Sequence, residues 1–279
     1  MHYSNSRLLL LGVCFILLGL VACQNEVEPP VRSSEITKAQ REQLGDRIQI
    51  AIAVNEEQFP ILPQVPPYDT TVYWYIQHLY QQVSFGMQLD NQSPADDRWS
   101  QDRSWKVTVL DLEERNAFVI PGGHFYVTTG LLRSLSQEYE LYYLLAFEAA
   151  LMNERLLLNR LVTVFNPALL VELANGAPSP NSSTNDIADI SSHLVFDEED
   201  VKEIDEKCAD LICNTSIFDR LGIISLLDQL SIDDAWLINR PSYIGRADYI
   251  IRQLNTNEEN CGSFQTNGGY QRYILNVLK

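Results

Sequence analysis

The apolar run at residues 8–22 follows a short polar start carrying Arg7 and is almost unbroken. A basic start, a run of this length and small residues at its end have the form of a secretory signal peptide. The run is shorter than the roughly 20 apolar residues that a membrane-spanning helix needs. Residues 34–50 then carry apolar positions at the spacing of a short amphipathic helix, which the prolines at 60, 63, 66 and 67 break. Asp69 and Thr70 can cap a second helix, on which Val72, Tyr73, Ile76, Leu79, Tyr80 and Val83 recur as a core stripe. Residues 90–102 are polar and predict a loop.

The period changes next. Trp105, Val107 and Val109 alternate with Lys106 and Thr108, a second apolar run covers 117–120, and a third covers 125–129 after the turn Pro121-Gly122-Gly123. Three strands in a small antiparallel sheet are expected. From residue 136 the chain has no proline or glycine until Pro167, which predicts one long helix. Residues 141–152 of it are apolar or aromatic except Glu148, so a carboxylate must lie among hydrocarbon. Gly176, Pro178, Pro180 and several serines mark 166–186 as a mobile loop or insertion. Asp197 can cap a further helix with Val201, Ile204, Cys208, Leu211 and Ile212 on one face, leaving Glu206 and Asp210 roughly opposite. No repeat of fixed period is visible.

These elements make an α+β, mainly helical chain, and 46% hydrophobic composition suffices for one substantial core at residues 36–279. Removing residues 1–22 leaves 19 basic against 37 acidic residues, so no nucleic-acid partner is expected. Adhesion to anionic lipid through basic residues is not expected either. Outside the signal and Cys23, the thiols are Cys208, Cys213 and Cys261, enough for one disulfide of open pairing with one thiol left over.

Leu20-Val21-Ala22-Cys23 resembles the bacterial lipoprotein lipobox. The resemblance implies cleavage before Cys23, acylation there by more than one chain, and stable attachment to a membrane at the cell envelope. A plain N-terminal membrane anchor is the alternative. Residues 23–35, acidic and proline-containing, would form a flexible tether.

Three stretches in order carry a second resemblance. They are Asn116-Ala117-Phe118 leading to Pro121-Gly122-Gly123 and Gly130-Leu131-Leu132, then Phe147-Glu148-Ala149-Ala150-Leu151, then Glu206-Lys207-Cys208-Ala209-Asp210. Over residues 59–254 the chain resembles the zinc metalloendopeptidases typified by the CAAX prenyl protease and HtpX, gluzincins with H-E-x-x-H on one helix and E-x-x-A-D on a later one. The resemblance implies a zincin-like fold with the small sheet beside the active-site helix. It assigns Glu148 the general-base position, Glu206 the third zinc-ligand position and Asp210 the position of an acid that orients a ligand. Arg240-Pro241 to Arg246 has the spacing of the family's later H-P-x-x-x-x-R.

The departures matter more. Two histidines four apart on a helix can reach one zinc ion, but Phe147 and Leu151 stand at both positions and have no lone pair to give. No cofactor is therefore expected, although the family uses zinc. His124 is open as a metal ligand or an exposed turn residue, whereas His78 and His193 read as surface or packing residues. Glu206 and Asp210 are equally open as solvated surface or a buried remnant site. Glu148, if buried, must raise its pKa, find a cation such as Arg155, Arg240 or Arg246, or line a water-filled cleft, and an arginine in the space of the family's zinc is the expectation. The strand Phe125, Tyr126, Val127 and Thr128 is expected to border the groove, either pairing with an extended peptide or forming an ordinary sheet edge. The expected function is an inactive metallopeptidase-like lipoprotein that binds or scaffolds envelope polypeptides. An active zinc metalloendopeptidase with atypical ligands and a purely structural protein with a filled cleft are the alternatives.

Overall fold

Thr37 opens the first helix, α1 (Lys38–Val54), with a capping box: its side chain accepts the Gln40 N–H while the Gln40 side chain accepts the Thr37 N–H. Two donors that no helical carbonyl can reach are thereby satisfied. The computed structural model describes residues 36–89, 105–153, 156–175, 181–215, 245–256 and 268–279. Leu44, Ile48, Ala51 and Ile52 turn the inner side of α1 to the core. Gly45 lets α1 lie directly on the Pro121-Gly122 turn, because a Cβ there would stand 1.7 Å from the Pro121 carbonyl oxygen. After the prolines, a π-type turn at Asp69–Tyr73 runs into α2 (Trp74–Leu89), and its stripe of Ile76, Leu79, Tyr80 and Val83 is core as expected.

The strands fall where the alternation puts them: β1 (Lys106–Leu110), β2 (Ala117–Ile120) and β3 (His124–Thr128). Their arrangement differs from the expected antiparallel sheet. The order is β1-β3-β2, with β1 parallel and β2 antiparallel to β3. All five β3 residues are buried. A strand covered on both faces gains most from a central place, and β3 takes it between the two strands that precede it.

Thr128 caps the short helix α3 (Thr129–Ser134) through the Leu131 N–H. The expected long helix is described as α4 (Glu138–Asn153) and α5 (Leu156–Val164), and residues 154 and 155 between them lie outside the described residues. Much of the predicted loop at 166–186 is helical too. Asn166 accepts the Ala168 N–H (2.9 Å) and Pro167 begins α6 (Pro167–Ala174). At the first helical position a missing N–H costs nothing, so this proline starts a helix. Next come α7 (Asn181–Ser192), α8 (Glu198–Thr215) and α9 (Arg246–Thr256), and a π-type turn at Gln271–Leu275 closes the described chain. Asp197 caps α8 through the Asp200 N–H (3.0 Å). The centre of the fold is α4, packed against α2, α5, α8 and β2. Among the described residues no single helix is long and apolar enough to cross a membrane.

Candidate functional site

Every side chain of α4 from 141 to 152 is at most 3% exposed, Glu148 included at 1%. A helix this apolar on all sides can only be central, and whatever polar group it carries must be answered by its neighbours. On α4, Tyr143 and Phe147 stand one turn apart with rings 6.3 Å from each other. From α8, the fully buried Asp205 accepts the Tyr143 hydroxyl at 2.5 Å.

Arg246, the first residue of α9, completes the cluster. Its guanidinium donates through Nε to Asp205 Oδ2 (2.9 Å) and through Nη2 to Oδ1 (2.8 Å), a two-pronged fork, and Nη2 also lies 3.4 Å from the Tyr143 oxygen. Its Cζ sits 5.4 Å from the centre of the Phe147 ring, within cation–π range. Both carboxylate oxygens are thus satisfied by charge-assisted bonds in a nearly dry site. Burial would lower the Arg246 pKa, but Asp205 and Tyr143 outweigh it and hold it above its ordinary value. Burial, helped by Asp205, likewise pushes the Tyr143 hydroxyl well up, so the site contains a neutral phenol and one ion pair.

Glu148 lies between α2 and α8, where its charge adds to burial in raising the pKa of Tyr80 and of Cys208. The fork of Arg246, one of the three arginines expected as a partner of Glu148, is closed on Asp205. Arg155 and Arg240 lie outside the described residues. Glu206 and Asp210 are exposed, on the outer side of α8, and Glu206 accepts the Tyr249 hydroxyl of α9. That contact follows burial as the second cause raising the Tyr249 pKa to about 12. The solvated reading of these two acids is the one the structure supports. Phe147 and Leu151 are 2% and 0% exposed. With no lone pair at either α4 position and Glu206 turned outward, these residues do not fit a zinc ion.

His124 is not an exposed turn residue; it opens β3 at 4% exposure. Among the described residues no three His, Cys, Asp or Glu side chains are grouped to hold a metal ion. His78 stacks on Trp74 at the surface and His193 contacts Ser192, as expected of packing residues. Phe125, Tyr126, Val127 and Thr128 do not form an edge. Hydrogen-bonded neighbours flank β3 on both sides, so no peptide can add to it. The outer side of β2 is covered by α7, with the Asn116 side chain donating to the Ser192 carbonyl (2.8 Å).

Asp205 and Tyr143 were not among the expected site residues. The signal for Asp205 was its place four residues after Val201 and three before Cys208, on the same helical face. Cys208 itself is a free, buried thiol. The side chain of Cys213, the whole of Cys261 and Cys23 lie outside the described residues. Burial, then Asp205, push the Cys208 pKa up, against a smaller opposing effect of Arg246. A buried, protonated thiol is a poor nucleophile. Iodoacetamide at pH 8 is therefore expected to leave Cys208 unmodified in the folded protein and to alkylate it in guanidinium chloride, as read by peptide mass mapping. Fast native labelling would show that α8 opens.

No curated protein matches this chain. The model of peptidase family M48 matches residues 90–190, a stretch that holds the whole sheet and the Phe147-to-Leu151 turn of α4. Together with the mainly helical α+β architecture, that match supports a metallopeptidase-like domain in this chain, similar to peptidase family M48.

Proposed function

We propose that the chain is an exported lipoprotein, anchored through lipid on Cys23, whose metallopeptidase-like domain is catalytically inactive and serves as a binding or scaffolding body for polypeptides at the cell envelope. Its motif pattern resembles that of the CAAX prenyl protease and HtpX. The observation that carries the loss of catalysis is the pair Phe147 and Leu151, buried at both histidine positions of α4, with the Arg246 guanidinium lying over the Phe147 ring. A zinc ion beside that guanidinium would meet repulsion instead of ligands. What the fold keeps is a helical body around a three-stranded sheet. The anchor adds local concentration at the membrane, where a scaffold of modest affinity can act.

The test is metal analysis of the purified chain together with a proteolysis assay on unfolded polypeptide. Less than about 0.1 zinc per chain and no cleavage that 1,10-phenanthroline removes are the expected results, the ratio being what adventitious binding leaves where no ligand set exists. Stoichiometric zinc with chelator-sensitive cleavage would sink the inactive reading in favour of an enzyme with atypical ligands. Metabolic labelling with palmitate, expected in the parent chain and lost in Cys23→Ser, tests the anchor separately.

A further inference from the structure

The parallel ladder between β1 and β3 sets which way the backbone of β1 points. Lys106 donates its N–H to the Gly123 carbonyl on the β3 side (3.1 Å), so Trp105, Val107, Val109 and Asp111 present their backbone groups to the outer side. An outer side of this kind is a template for another strand. The chain closes it at two places by different means. Near the end of β1, residues 60–62 come in antiparallel: Leu62 N–H donates to the Val109 carbonyl (2.9 Å) and Asp111 N–H to the Pro60 carbonyl (2.6 Å).

At the start of β1 a side chain stands in for a strand. Gln77 of α2 donates Nε2 to the Trp105 carbonyl (2.5 Å) and accepts the Val107 N–H at Oε1 (3.2 Å). One donor and one acceptor, given to the outward carbonyl and N–H of a strand, are what a neighbouring peptide backbone supplies. The primary amide of Gln77 therefore imitates a peptide unit on an edge built to take one. Beside it lies a cleft of about 490 Å³ lined by Gln64, Asp69, Tyr73, Trp74, Gln77 and residues 106–108. That volume is within the range of ligand sites. Trp74 is half exposed at its rim and offers an apolar wall.

We propose that the outer edge of β1 is a docking site for an extended polypeptide segment, which adds antiparallel to β1 in line with residues 60–62 and displaces the Gln77 amide. This rests on the reading of the domain as a polypeptide-binding body, and it moves the binding edge from β3 to β1. The segment is neutral to basic, since the chain carries a net charge of −17 and repels acidic partners. Backbone hydrogen bonds supply most of the affinity, and Gln77 sets a threshold that an incoming strand must exceed.

The probe is the capped, fluorescein-labelled peptide Lys-Thr-Val-Thr-Val-Thr-Lys, titrated into the full mature chain at 150 mM salt and followed by anisotropy. Saturable binding is expected, tightened roughly threefold to tenfold in Gln77→Ala, because one competing pair of hydrogen bonds is removed. Methylating alternate peptide nitrogens in one register should abolish binding, and methylating the other set should not. No binding to either protein, or equal binding of both methylated peptides, overturns the docking site and leaves the inactive reading standing. Chelator-sensitive cleavage of a bound probe has the opposite consequence, overturning the inactive reading and supporting the docking site.

Discussion

Replacing Arg246 with methionine lowers the stability of the domain by about 3–5 kcal/mol, the cost of leaving a buried carboxylate without its partner. For a chain of this size that is a fall in melting temperature of roughly 10 °C. Asp205 is fully buried and takes two charge-assisted bonds from the Arg246 fork. With the guanidinium gone, the Tyr143 hydroxyl still donates, but a neutral donor cannot replace a buried cation. The same physics predicts a rescue. Joining Arg246→Met with Asp205→Leu and Tyr143→Phe removes every polar member of the cluster together, and most of the lost stability should return, because an apolar replacement of a buried ion pair is often neutral. Guanidinium-chloride midpoints of the three proteins decide the matter. A single variant that costs less than about 1 kcal/mol would mean that the pair is solvated, as surface pairs are.

What the sequence made legible was local. Asp197 marks a helix start because a cap is a contact between near neighbours. Alternation located the strands, and the unbroken apolar character of 141–152 required Glu148 to be buried, as it is. Sheet order was not legible. The turn at Pro121-Gly122-Gly123 joins β2 to β3, but nothing in either strand states that β1 will pair with the far side of β3, and β3 was expected at the edge of the sheet for that reason. Pro167 misled in another way, since one residue type both breaks a helix and begins one. The ion cluster was half visible. Phe147 and Leu151 announced the missing ligands, whereas Asp205, among the charged residues of α8, was passed over for Glu206, one residue later and on the wrong side of the helix.

Restoring histidine at positions 147 and 151 now carries a different expectation from the one that the motif alone suggests. By spacing, Glu206 should complete a set of two histidines and one glutamate, and Phe147→His with Leu151→His should take up zinc. In the fold Glu206 lies on the outer side of α8, held by Tyr249, and the inward carboxylate, Asp205, is already closed on Arg246. The guanidinium centre, 5.4 Å from the Phe147 ring, would also face the arriving dication at a repulsive cost on the order of several kcal/mol. The double variant should therefore fold with reduced stability and retain no stoichiometric zinc after dialysis. Adding Arg246→Leu changes two things together: the repelling charge goes, and Asp205, an inward carboxylate, is released from the Arg246 fork. The triple variant should bind zinc at least about a hundredfold more tightly than the double, a step of roughly 3 kcal/mol, with melting temperature rising as zinc is added because the metal binds only the folded state. Tight zinc in the double variant would show instead that α8 can turn Glu206 inward. In that event the present packing of α8 on α4 is one of two arrangements open to this sequence.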